Sequence, residues 1–158
     1  MLIACVDIFF EKGVGMLDRT DRNILAALEK NARVSNTDLA RAVHISRPSI
    51  IKRINRFLEE GIIEKFTAVF SLKKIGRPVC SFIQISNIKL SVQEMLKVLD
   101  RDEIVEIYSV TGENNFIAKA AVSEIEDMEK LLQDLMPYCK VVTSLVIIKH
   151  KVDRSLMQ

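Results

Sequence analysis

Between Ser35 and Gly61 the chain carries two helix starts about eleven residues apart, and only His44 and Ile45 separate the helices they open. So short a gap forces a sharp bend between the helices. Ser35 with Asp38 three residues on has the form of a capping box, and Ser46 with Pro48 in the following turn marks a second start. The spacing predicts a helix over 36–43 with Leu39 and Val43 on one face. It predicts another over 47–60 with Ile50, Ile54, Phe57 and Leu58 on one face, stopped by a left-handed Gly61. Ala40, mid-way along the first helix, lets the second approach closely. The pattern is that of a helix-turn-helix.

The outward face of the second helix carries the chemistry. At 100° per residue, Ser49, Lys52, Asn55 and Arg56 point away from the apolar stripe, with Arg53 at its border. Arg47, Lys52, Arg53 and Arg56 crowd one helix, with short hydrogen-bonding side chains between them. Arg and Lys suit phosphates and guanine edges, and Ser and Asn add shorter contacts. Arg47, Ser49 and Lys52 are therefore candidates for base edges, and Ser46, Arg53 and Arg56 for phosphates. The bland reading of such a face is a solvated basic helix. The tight bend, the capped start and the small Ala40 favour double-stranded DNA as the partner.

Charge is divided along the chain. Residues 16–65 carry ten Lys or Arg against seven Asp or Glu, and 66–78 add three cations. Residues 79–158 carry nine basic and twelve acidic side chains. The first half suits a polyanion and the second does not. Cys5, Cys80 and Cys139 are odd in number and unclustered, with neither metal spacing nor a disulfide framework, so a reducing cytoplasm is expected. No apolar run reaches the roughly 18–20 residues of a membrane span. The apolar stretch 1–10 lacks a cationic start and contains Asp7, so it is not expected to be a signal peptide. Residues 1–15 are expected to be an extra strand or an extension ahead of a start at Met16.

Asp18 and Asp21 open a first helix ending near Asn31, with Ile24, Leu25 and Leu28 as its core stripe. It completes a three-helix unit over 16–65, since a helix pair alone buries too little apolar surface. Lys65 to Phe70 is predicted as a strand, and Ser71 to Pro78, with Gly76 and three cations, as a linker. From Val79 a second domain, 79–153, is expected. A strand runs over 79–88. Ser91 and Glu94 cap a helix with Val92, Met95, Leu96 and Leu99 in register. A strand over 104–110, a turn at 111–114 and a strand over 115–122 follow. Ser123 and Glu126 cap a helix with Ile125, Met128, Leu132 and Leu135 on one face, ending at Pro137. A long strand over 141–152 closes the chain. The β-α-β-β-α-β order is ferredoxin-like, and the class is α+β. Its helices cover one sheet face only, yet Leu145 to Ile148 is apolar on both sides. Sheet-to-sheet pairing between subunits is expected.

The run Leu17-Asp18, Asp21, Ile24-Leu25, Leu28, Arg33, Ser35, Leu39-Ala40, Val43, Ser46, Arg53-Ile54 and Gly61-Ile62-Ile63 resembles the Lrp/AsnC (feast/famine) transcription regulators. Val110-Thr111-Gly112-Glu113 and the closing strand resemble that family's amino-acid-sensing RAM domain. The resemblance covers roughly 16–152. It implies a winged helix-turn-helix head, a homodimer formed partly through the linker strands, and assembly of dimers into tetramers or octamers. It also implies promoter binding and an effector site, usually for an amino acid, near Thr111, Gly112, Glu113 and Asn115. Two positions depart from the pattern. The family often has Gly at the turn where this chain has His44, and an acid where it has Asn115.

Other chemistry is poorly provided for. His44 and His150 are the only histidines and fall in different domains. No Gly-rich phosphate loop follows a strand, and Cys80 and Cys139 suit core or near-core thiols. The acidic group Glu124, Glu126, Asp127 and Glu129 offsets a helix dipole rather than holding a metal. No catalytic residues, metal ligands or cofactor are expected. Two rival functions remain. One is a small-molecule-binding oligomeric module whose helical head meets a protein partner, and the other is an architectural DNA-binding protein.

Overall fold

A computed structural model describes residues 17–150. The expected extension over 1–15, Cys5, and the far end of the closing strand lie outside these residues. The chain divides at Ala68/Val69 into two units.

In the first unit α1 spans Arg19–Lys30, α2 Asn36–Ala42 and α3 Arg47–Glu59. Each start is fixed by its own side chain. The Asp18 carboxylate accepts from the Asp21 amide at 2.6 Å, and the Asp21 carboxylate accepts from the Asp18 amide at 3.1 Å, a reciprocal capping box. At α2 the Asp38 amide donates to Ser35 Oγ at 3.1 Å, but the Asp38 carboxylate takes the Ser35 hydroxyl at 2.6 Å rather than the backbone amide. At α3 the Ser49 amide donates to Ser46 Oγ at 3.3 Å. Each such cap contributes about 1 kcal/mol. Gly61 stops α3 with φ 69°, and His44 bends the chain with φ 57°. Ile24, Leu25, Leu28, Leu39, Ala40, Ile50 and Phe57 form the core. Leu58, expected in that stripe, is 41% exposed.

Residues 65–70 form no strand within the chain. Their composition suits one, but a strand requires a hydrogen-bonded neighbour and the described residues supply none. Val69 and Phe70 lie largely in solvent. A 3-10 turn, Leu72–Ile75, follows and ends at left-handed Gly76.

The second unit comprises β1 Val79–Ser86, α4 Val92–Leu99, β2 Ile104–Ser109, β3 Phe116–Val122, α5 Ile125–Leu135 and β4 Lys140–Leu145. The sheet order is β2-β3-β1-β4, all antiparallel, as the ferredoxin-like reading requires. Met95 and Leu99 of α4 pack with Met128, Leu131 and Leu135 of α5 on Ile83, Ile85, Phe116, Ala118, Ala120 and Val122. Both helices therefore cover the same sheet face.

Several boundaries differ from expectation. The cap of α5 is Glu124, reciprocated by Asp127, one residue beyond Ser123. Its buried row is Met128, Leu131 and Leu135; Ile125 sits in the first turn, before the helix reaches the sheet, and is exposed. On α4 Val92 and Leu96 are exposed, because the helix turns Met95, Val98 and Leu99 towards the sheet core instead. The closing strand stops at Leu145, which pairs with Ser81 near the start of β1. After the Val146 amide reaches the Cys80 carbonyl at 2.8 Å the neighbour runs out.

Candidate nucleic-acid interface

The apolar side of α3 is committed to the helical core through Ile50 and Phe57, which leaves the opposite side outward. Ser46, Arg47, Lys52 and Asn55 are exposed, and Ser49, Arg53 and Arg56 are half-buried. Arg47, Ile51, Lys52 and Asn55 line one recess along the helix. Ser49, Lys52, Arg53 and Arg56 line the neighbouring one. Ser46 and Ser49 meet through their hydroxyls at 2.8 Å, so capping the helix fixes both side chains.

The two inner cations have partners. Arg53 donates to Asp18 at 2.7 Å and also to Asp21, and Arg56 Nη2 donates to Asp21 Oδ2 at 2.7 Å. Asp21 is 1% exposed. Burial pushes its carboxyl up, but the Arg56 and Arg53 guanidiniums and the Asp18 amide outweigh this and hold it below the usual aspartate range. The Asp21 amide, then Arg53, hold the Asp18 carboxyl low as well. Arg56 also stacks over Phe57, 5.2 Å from the ring centre. Arg47 and Lys52 have no such partner among the described residues. The six candidate residues thus lie along one helix in two states. Ser46, Arg47 and Lys52 are exposed with Ser49 half-buried beside Ser46, whereas Arg53 and Arg56 are anchored by one edge of each guanidinium.

Two features escaped the sequence. Asp21 reads as a helix cap, and nothing local shows that its second role is to bind two arginines more than thirty residues away. Ile51, 38% exposed among polar neighbours, was legible as an apolar residue off the core stripe of α3. Such a side chain suits a thymine methyl.

In the second unit the 111–114 turn is closed by the Val110 amide on the Asn115 carbonyl at 3.2 Å, and the Asn115 amide reaches the Ile85 carbonyl at 2.8 Å. Gly112 holds φ 107°, a backbone that L side chains rarely adopt. Thr111, Gly112, Glu113 and Asn115 are all exposed. The turn presents them side by side without enclosing a cavity around them.

The sheet face away from the helices carries Glu106, Lys119, Phe82 and Ser144 in one row, and Tyr108, Ile117, Gln84 and Val142 in the next. Glu106 pairs with Lys119 and accepts from the Tyr108 hydroxyl at 2.8 Å. Lys119 first, then Tyr108, hold the Glu106 carboxyl below its ordinary value. Phe82, Tyr108 and Val142 are 41%, 52% and 50% exposed. Cys139 is buried against the Leu135 carbonyl, and burial pushes its thiol up, which suits packing rather than reactivity. Among the described residues no group of three or more His, Cys, Asp or Glu is placed to hold a metal, and no helix is long and apolar enough to cross a membrane.

Residues 17–64 match the winged helix-turn-helix DNA-binding family model, and residues 82–156 match the Lrp/AsnC ligand-binding domain. The HTH-type transcriptional regulator Ptr1 of Methanocaldococcus jannaschii is 37% identical over 75% of this chain and 81% of its own length. The chain belongs to the Lrp/AsnC family of transcriptional regulators. The solved structure of LrpC from Bacillus subtilis is 26% identical and superposes with a TM-score of 0.79, covering 87% of this chain and 99% of that one. A transcriptional regulator from Neisseria meningitidis, solved as an L-Met complex, shares the fold at a TM-score of 0.75 and 23% identity, over 89% of this chain and 97% of that one. This Lrp/AsnC regulator therefore has a winged helix-turn-helix head and a ligand-binding domain, in an α+β fold. The relatives it matches are named as regulators of transcription.

Proposed function

We propose that this regulator binds double-stranded DNA sequence-specifically by laying α3 in the major groove. Arg47, Ser49 and Lys52 reach base edges, with Ile51 available to a thymine methyl. Ser46, Arg53 and Arg56 reach phosphates through the donors left over from their internal bonds. The observation that carries this reading is the outward row of Arg47, Lys52 and Asn55 on the helix whose opposite side is the core. Selection of bound fragments from a random duplex pool tests it. A shared motif should emerge with wild-type protein and dissolve when Lys52 is replaced by Ala; a pool that stays random would sink sequence specificity.

The protein acts as a homodimer in this reading, with the Phe82–Tyr108–Val142 sheet face covered by a second copy and residues 65–70 adding a further contact. An exposed apolar face of this kind is what an interface covers. Dimers assemble further, to a tetramer or octamer, in the cytoplasm. An amino acid or similar small effector binds near Thr111, Gly112, Glu113 and Asn115 and changes how dimers associate, and hence how many DNA sites one assembly bridges. The L-Met complex of the Neisseria meningitidis regulator supports an amino acid as the class to try first. Two recognition helices of one dimer reach successive major grooves when they lie about 34 Å apart.

A further inference from the structure

Asn55 stands two thirds of the way along α3, an uncharged side chain on a helix rich in cations. An amide in a helix interior competes for backbone hydrogen bonds and weakens the helix relative to Ala. Asn55 is exposed and makes no hydrogen bond or ion pair among the described residues, so nothing described in the head offsets that cost. Its carbonyl and its amino group are both free to meet a partner from outside. Arg47, Ile51 and Asn55 follow one another at intervals of four and line one recess along the helix. The next step of four reaches Glu59, which is exposed, and Glu60 follows it. Carboxylates at that end meet a polyanion unfavourably, so the row that can approach a duplex ends at Asn55.

We infer that Asn55 is a specificity-determining residue that reads one adenine, its amino group donating to N7 and its carbonyl accepting from N6. The same row sets a thymine, whose methyl meets Ile51, about two base steps from that adenine. The inference rests on the major-groove reading above and assigns bases within it. Adenine is the base that shows an acceptor beside a donor on its major-groove edge, and a side-chain amide carries the complementary pair. Guanine shows two acceptors there, which fits Arg47 and not Asn55. The spacing follows from the helix: four residues rise about 6 Å, and stacked base pairs lie about 3.4 Å apart, for a helix lying along the groove. Being neutral, Asn55 releases no counterions when it binds, so its contribution falls on sequence and not on the salt dependence of binding.

The test uses full-length protein and the duplex motif selected from a random pool, read by anisotropy of a labelled strand. Each adenine of the motif is replaced in turn by 7-deazaadenine, which keeps base pairing and removes the N7 acceptor. One such replacement should weaken wild type about tenfold. Asn55→Ala should bind the unmodified motif about tenfold more weakly and ignore that replacement. Ala favours the helix, so the variant keeps its fold, and its salt slope should match wild type because no charge is lost. Uracil in place of the thymine about two steps away removes one methyl. It should weaken wild type about fourfold and leave Ile51→Ala unaffected. Wild type that ignores 7-deazaadenine at every adenine, or an Asn55→Ala protein that keeps the full loss, would overturn the assignment while the motif itself stands. A pool that yields no shared motif would bring down the sequence-specific reading beneath it as well.

Discussion

Arg56 on α3 donates to Asp21 on α1 at 2.7 Å, and Asp21 itself is 1% exposed. Arg53 binds the same carboxylate from the next turn of the helix. One buried acid thus fastens the recognition helix to its support and fixes two of its cations. A buried charge is tolerated only when paired, so the helix cannot rotate without leaving Asp21 exposed to a desolvation penalty.

Asp21→Asn should therefore cost stability. The amide keeps the shape and loses the charge, and hydrogen bonds to charged groups contribute about 1.5–3 kcal/mol, so a loss of about 2 kcal/mol is expected in urea unfolding near neutral pH. The sign with pH follows from the lowered carboxyl. Its stabilisation is complete above the ordinary aspartate value of 3.8 and fades as pH falls through that value towards the lower folded one. The gap between wild type and variant should close in that window. Equal stability at neutral pH, or a gap unchanged in acid, would show that the pairs contribute little.

Lys52 and Arg56 should separate when each is replaced by Ala. Lys52 has no partner among the described residues, so its loss should leave unfolding unchanged and weaken binding by about 1–3 kcal/mol at particular bases. Arg56 is shared with Asp21, so its loss should lower stability and weaken all duplexes alike, flattening the salt slope by about one. Electrophoretic mobility shifts on a selected and a scrambled duplex, beside urea melts, read both. Identical profiles for the two variants would remove the distinction.

Phe82→Glu places a charge on the open sheet face opposite Lys119 and Ser144. Lys119 is already paired with Glu106, so the new carboxylate enters an apolar contact without a free partner. Sedimentation velocity should show wild type as a dimer or a multiple of it, and the variant shifted towards monomer with its circular dichroism intact. A variant that sediments as wild type would mean that the second copy sits elsewhere.

Asn115→Asp adds the carboxylate that the family often carries there. The Asn115 amide and carbonyl are already fixed by Ile85 and Val110, so the substitution changes charge without moving the turn. An ammonium group should gain a charge-assisted partner, tightening amino-acid binding about tenfold in calorimetry. Methionine is the first compound to titrate. No change for any amino acid would argue against an effector at this turn.

Local chemistry was enough to read much of the fold. Each helix of the head begins at a side chain that caps it, and those signals act within three residues. The ferredoxin-like order followed from alternating periods and turn residues, again within short windows. Failures arose where an outcome depended on a distant neighbour. Residues 65–70 and 146–150 have strand composition, but a strand is a relation between two segments, and the described residues supply no second. On α5 Met128, Leu132 and Leu135 face the core as the period requires, but Ile125 does not and Leu131 does, because helical period gives a face and only the sheet sets its width and where it begins.

For the site, the sequence by itself determined which residue types crowd α3 and which side of that helix is polar, because a 3.6-residue period fixes both once Ile50 and Phe57 are known to be apolar. It could not assign partners to the four cations. Only tertiary structure decided that, by bringing α1 beneath α3 so that Asp21 engages Arg53 and Arg56 while Arg47 and Lys52 remain in solvent. The physical reason is range: capping and periodicity operate over a few covalent steps, whereas an ion pair forms between groups brought within 3 Å by packing, however far apart they lie along the chain.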